Sequence, residues 1–233
     1  MNAFFKPKTG FLRPKILFRL FLIVVTALCS LAFIGCKKSI SYADYVSEHR
    51  SNIFLAKTDT LSLRVYSVNK ETPYAADGVP QETSHRTEVY LVAPEGDKIC
   101  TLLFTVNDKE YGGEMSFDNV RAEYYFYCTL DTSALCEIAC KITYGDTEYT
   151  LTATSVRTEK TLPLAEILHS LLQAEKPLFD AMTDKYGFSG EIYVRLIFEE
   201  SPYYYVGVID RKGNITAFLI GGETGKILAK RTG

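Results

Sequence analysis

The amino-acid sequence reads as a mainly β chain with an α+β ending. It predicts an N-terminal antiparallel β-sandwich of Ig-like architecture over residues 59–157, followed by a small helix-plus-antiparallel-meander domain over residues 158–233. Three observations carry this. Short runs of β-branched and aromatic residues alternate with a period of two and are divided by turn residues across the first region. A single stretch of helical spacing then intervenes before a last set of strands. The composition, 47% hydrophobic and 23% charged in 233 residues, is that of a folded globular chain long enough for two small domains.

The chain opens with a basic segment, Lys6, Lys8, Arg13, Lys15 and Arg19, followed by sixteen largely apolar residues at positions 20–35. This is the layout of an export signal. The uncharged run of residues 20–36 reaches only the lower limit for crossing a bilayer, about 17 residues, before Lys37 and Lys38 end it. Its close, Leu31-Ala32-Phe33-Ile34-Gly35-Cys36, resembles the lipobox of bacterial lipoproteins, with Phe33 where that pattern prefers Leu. The resemblance implies cleavage after Gly35 and lipid attachment at Cys36, and so a chain held on the extracytoplasmic face of a bacterial membrane. Two or more acyl chains, at about 0.8 kcal/mol per buried CH₂, give a durable hold where one does not. An uncleaved signal anchor is the alternative, and it exposes the same remainder.

Residues 36–58 are polar and without clear periodicity, and are expected to be a spacer, with a short helix around residues 42–50. The sandwich strands follow. Leu61, Leu63 and Val65 form one inward face; Val89 and Leu91 another; Cys100, Leu102, Phe104 and Val106 a third. Ala122, Tyr124, Phe126 and Cys128 alternate again, then Cys136, Ile138, Cys140 and Ile142, and the Gly145-Asp146 turn leads into a last strand. Trp is absent, so the Ig likeness is one of architecture only.

In residues 158–233, Leu164, Ile167, Leu168, Leu171 and Leu172 fall at helical spacing and Pro177 is expected to break or restart the helix. Strands are expected at 192–198, 203–209, 215–220 and 226–229, with a hairpin turn at Asp210-Arg211-Lys212-Gly213-Asn214. This order, with Tyr205-Val206-Gly207-Val208-Ile209-Asp210, Gly213 and Thr224-Gly225-Lys226-Ile227-Leu228, resembles the PepSY-like domains of exported bacterial proteins. The chain has Gly221 where that family has Asp. The resemblance implies a non-catalytic interaction or inhibitory module at the cell surface.

The net charge is −2, and removing the five positive charges of residues 1–35, which hold no Asp or Glu, leaves −7 on residues 36–233. An acidic surface repels phosphate backbones and argues against nucleic acid as a partner. Cys100, Cys128, Cys136 and Cys140 sit on apolar strand faces, as core thiols or as disulfides in an oxidising compartment. If Asp131-Thr132-Ser133 is a three-residue hairpin loop, Cys128 faces Cys136 closely enough to be bridged. His49, His85 and His169 stand apart from any nucleophile, and no phosphate-loop, dinucleotide or nucleophile-elbow glycine pattern occurs; Gly187-Phe188-Ser189-Gly190 lacks the spacing. Asp108, Glu110, Glu114 and Asp118 around Gly112-Gly113 carry oxygen ligands of the kind calcium takes, but a solvated loop is by far the commoner reason for such a group. Thus no catalytic residue, metal or cofactor is implied.

Sixteen tyrosines include the clusters Tyr124, Tyr125, Tyr127 and Tyr203, Tyr204, Tyr205. Alternation sends neighbours to opposite faces, so some rings must meet solvent or a partner, where they can stack on sugars or peptides; Tyr is also simply a good strand residue. The sequence therefore predicts a lipid-anchored, non-enzymatic surface module that binds a protein, peptide or envelope polymer. An accessory scaffold subunit of a membrane transporter or sensor complex is the second reading, and an enzyme the third.

Overall fold

A computed structural model describes residues 40–233. Residues 1–39, and with them Gly35 and Cys36, lie outside the described residues, so the export signal and lipid site belong to the sequence alone.

After a 3-10 turn, Tyr42–Tyr45, the described chain runs β1 (Val46–Lys57), β2 (Ser62–Glu71), β3 (Thr83–Val92), β4 (Cys100–Val106), β5 (Lys109–Glu114), β6 (Ser116–Asp118), β7 (Glu123–Cys128), β8 (Glu137–Tyr144) and β9 (Thr147–Ser155). Helices α1 (Leu164–Ala174) and α2 (Lys176–Ala181) follow. A small β10–β11 hairpin (Thr183–Asp184, Gly187–Phe188) then leads into a meander of β12 (Gly190–Phe198), β13 (Pro202–Asp210), β14 (Ile215–Gly221) and β15 (Ile227–Thr232). The protein is thus mainly β, with two α-helices among the described residues and one large, largely antiparallel sheet.

Residues 36–58 are not a spacer along their second half. Val46–Lys57 is a twelve-residue strand at the centre of the sheet. Its polar residues hid it: Ser47, Glu48 and Asn52 are buried, at 0%, 6% and 1% exposure, because hydrogen bonds and an ion pair satisfy them. The expected helix around residues 42–50 is limited to the single 3-10 turn.

β1 lies beside β2 from Glu48 to Lys57. On its other side it is parallel to β12 over Val46 to Arg50 and antiparallel to β9 at Phe54 and Leu55. The switch of neighbour falls at a bulge between Arg50 and Asn52, where an extra residue opens the ladder. The Asn52 side chain closes the opening. Its Oδ1 accepts from the Ile53 backbone N–H at 2.8 Å and from Ser155 Oγ at 2.7 Å, while its Nδ2 donates to the Leu135 carbonyl at 3.1 Å.

The strand order β15-β14-β13-β12-β1-β2-β3-β7-β6 forms the main run, and β9-β8-β4-β5 branches from β1. Two apolar cores result. Phe54, Leu63, Val65, Leu91 and Tyr124 of the main run meet Leu102, Phe104 and Ile142 of the branch. Ile167 and Leu171 of α1 and Phe179 of α2 meet Ile192, Val194, Val206 and Phe218 of the meander. The helix breaks at the expected place, with Pro177 in the first turn of α2. Residues 40–233 nevertheless make one compact unit, so the boundary expected at residue 157 divides two cores that share β1 rather than two separate bodies.

Cross-strand partners point to the same face of a sheet. Phe54 lies opposite Val65, and alternation along β2 carries that face to Asn69, opposite His49, which lies opposite Val194. Phe54, Val65 and Val194 therefore lie on one side of the main run. Ile53 and Leu55, opposite Tyr66 and Arg64, turn to the other side at the fork and join the helix-side core with Tyr66, and beyond them the outward side is open across β3 and β7.

Replacing Asn52 by Ala strands buried backbone partners at the fork. A loss of about 2–3 kcal/mol is expected, read as a lower midpoint of denaturant unfolding; an unchanged midpoint would show that the fork closes without it.

Candidate interaction face

The uncovered side is built by outward positions that alternate with core residues. Arg64 and Tyr66 on β2 alternate with Leu63 and Val65; Arg86, Glu88 and Tyr90 on β3 alternate with Thr87 and Val89; Tyr125 and Tyr127 on β7 alternate with Tyr124. Register aligns them into rows: Arg64, Tyr90 and Tyr125 are successive partners, as are Tyr66, Glu88 and Tyr127, and Arg50, Val68 and Arg86. Each row crosses strands, so rings and charges stand in a continuous band.

The rings and cations are in contact. Tyr66 and Tyr90 are 5.5 Å apart at 49°, the Arg50 guanidinium lies 4.1 Å from the centre of Tyr66, and that of Arg86 lies 5.3 Å from the centre of Tyr127. Arg64 pairs with Glu123 and Lys70 with Glu88. Burial, with Glu88 beside it, pushes the Tyr90 hydroxyl up to about 12, and it donates to Glu88 at 3.2 Å. The band holds a groove of about 560 Å³ lined by Lys70, Arg86, Tyr90, Arg121, Tyr125 and Tyr127, and a smaller recess of about 230 Å³ beside Arg50, Arg64 and Tyr66. Tyr127 is 58% exposed and Tyr125 38%.

Toward the meander the same side is sealed. Tyr193 lies flat on Gly207, where a Cβ would come within 2.1 Å of the ring. Arg195 stacks on Tyr193 at 4.6 Å and forks onto Glu48, with Nε to Oε1 at 2.8 Å. The connection over residues 72–82 folds down here: the Gly78 N–H donates to Glu191 at 2.9 Å, and Glu191 also accepts from Ser47. Burial, with Glu48 second, pushes the Tyr74 hydroxyl up to about 12. Tyr205 remains 36% exposed at this end, whereas Tyr204 is buried with its hydroxyl on the Leu162 carbonyl at 2.7 Å.

The cysteines separate. β7 pairs with β3 and β6, and β8 pairs with β4 and β9, so residues 129–136 cross between two arms of the sheet instead of forming a hairpin. The Cys128–Cys136 bridge expected from a hairpin is therefore not made, and Cys100, Cys128, Cys136 and Cys140 are free thiols. Burial pushes Cys100 up to about 11 and Cys140 up to about 12. The histidines lie apart: burial lowers His49 to about 4, His85 is 3.5 Å from Asp131, and His169 contacts Gln173 at 2.8 Å on the exposed side of α1. Among the described residues no group of three His, Cys, Asp or Glu is placed to hold a metal, and no helix is long and apolar enough to cross a membrane.

Sequence reasoning singled out Tyr125 and Tyr127 but missed Arg50, Arg64, Lys70 and Arg86. The outward half of the alternation in β2 and β3 carries a signal for the last three; Arg50 was hidden in the supposed spacer. No family model, no curated protein and no solved structure matches this chain.

Thiolate is the reactive form of cysteine. Maleimide should label Cys136 rapidly in the native protein and reach Cys100 and Cys140 only on unfolding. Equal native rates at all of them, read by peptide mass mapping, would contradict the burial described.

Proposed function

We propose that the chain is a lipid-anchored protein on the extracytoplasmic face of a bacterial membrane, and that it works without catalysis by binding a ligand on the open aromatic face. The single observation that carries the binding reading is the band of tyrosines and guanidiniums that stands open on the outward side of β3 and β7 and runs across β2 to the fork. A face meant only for solvent needs no ring stacked under a half-buried arginine; Tyr and Arg together are the side chains most enriched where proteins hold ligands.

The same reading takes residues 59–157 as a sandwich, supported by the core between the two sheet arms, and residues 158–233 as a PepSY-like module, supported by a helix pair followed by a four-strand meander. The anchor reading rests on the basic segment, the short apolar run and Gly35-Cys36.

Two measurements test it. Cells fed a clickable fatty acid should label the native protein and not a Cys36→Ala variant; label on the variant would remove the anchor. Hydroxyl-radical footprinting should modify Tyr125 and Tyr127 less on intact cells than in the purified protein, with Tyr186, 84% exposed and outside the face, equally modified in both. Equal modification of all three tyrosines would remove the binding face.

A further inference from the structure

Resting on the reading of this face as a binding surface, we propose that its ligand is an acidic glycan, an extended polysaccharide whose sugar rings carry carboxylates. Charge selects the sign. Most cations of the band are matched: Arg64 by Glu123, Lys70 by Glu88, Arg121 by Asp118, and Arg195 by Glu48. Arg50 and Arg86 are not matched by any carboxylate among the described residues. Residues 1–39 contain no Asp or Glu, so no side-chain carboxylate from that segment can match them either. The buried Nε of Arg50 has no hydrogen-bond partner, and Arg86 donates only to a neutral hydroxyl, Thr72 Oγ1 at 2.6 Å. Two guanidiniums thus wait for an anion on a chain whose residues 36–233 carry −7. A guanidinium fork fits a carboxylate with two parallel hydrogen bonds.

Register sets the spacing. Arg50 and Arg86 flank Val68 in one cross-strand row, two strand spacings or about 10 Å apart at the backbone. That is the scale of a disaccharide unit in an extended chain, so carboxylates on a repeating sugar can reach both at once. The rings between and beside them, Tyr66, Tyr90 and Tyr127, offer flat apolar faces with a polar tip. The C–H face of a pyranose packs on such a ring while its hydroxyls reach the neighbouring charged groups.

The same face is poor for an acidic peptide. β2 and β3 are each paired on both sides and β7 is paired on its outer edge over residues 123–125, so the strand addition that extended peptides use is confined to the three-residue edge of residues 126–128.

The test uses the full chain purified in mild detergent, with polygalacturonate as the acidic glycan, dextran as the neutral glycan and poly-glutamate as the acidic peptide. Polygalacturonate should bind and weaken as salt rises, while dextran and poly-glutamate bind at least tenfold more weakly. Arg86→Gln and Tyr127→Ala, both at solvent-accessible positions, should each weaken polygalacturonate binding about tenfold with an unchanged melting temperature, and Arg50→Gln should do the same if it folds. Tyr186→Ala should leave binding unchanged. No polygalacturonate binding at low salt, poly-glutamate binding as tightly, or indifference to Arg86→Gln would overturn the proposal. If those results came with protected Tyr125 and Tyr127 on cells, the glycan class would fall and the binding face would stand; loss of that protection as well would take both.

Discussion

The architecture turns on one strand that has two different neighbours on the same side. β1 pairs with β12 before its bulge and with β9 after it, and a ladder cannot change partner without exposing backbone groups between them. In a buried strand such groups cost about as much as a lost hydrogen bond each. Asn52 carries both a donor and an acceptor on a short side chain, so it can satisfy the bulge and both diverging strands together. An aliphatic residue would fill the volume and leave the fork unpaired.

From that fork follows the asymmetry of the molecule. Because β2 runs unbroken past the bulge, its alternation places the second sheet arm and the meander face under the helices on the same side, while Ile53 and Leu55 of β1 turn to the other side at the fork. The opposite side receives the connection over residues 72–82, the turn over residues 118–121 and, beside Arg50 and Tyr66, Ile197 and Phe198. It stays compatible with water because its rings are tyrosines and its charges are mostly paired, rather than by being covered. The edges of the sheet are managed differently: β6 is only three residues long, and β15 carries Lys230 and Arg231, which discourages pairing with a second chain.

Much of the secondary structure was legible because it depends on local chemistry. Leu102, Phe104 and Val106 are core residues on one strand face as their alternation requires. Asp210 closes the β13–β14 turn, accepting from the Lys212 and Asn214 backbone N–H groups at 2.8 and 2.9 Å, while Gly213 takes a φ of 82°. What failed was longer in range. β1 was illegible because burial of Ser47, Glu48 and Asn52 depends on Ser155, Leu135, Glu191 and Arg195, all more than eighty residues away. The Cys128–Cys136 pairing failed because a short polar loop signals a hairpin and a crossover alike. Of the binding face, the sequence offered its tyrosines but not their rows.

By itself the sequence determined the strand-rich character, the helical interlude with its break at Pro177, the inward faces of most strands, and a basic-then-apolar N-terminus ending in Gly35-Cys36. These are properties of residues and their near neighbours. Only the tertiary structure decided that β1 forks between two cores, and that Arg50, Tyr66, Arg86 and Tyr127 stand in a single band on the outward side. The reason is physical: register between strands far apart in the chain is set by which long-range hydrogen bonds can all be satisfied together, and no local pattern encodes that sum.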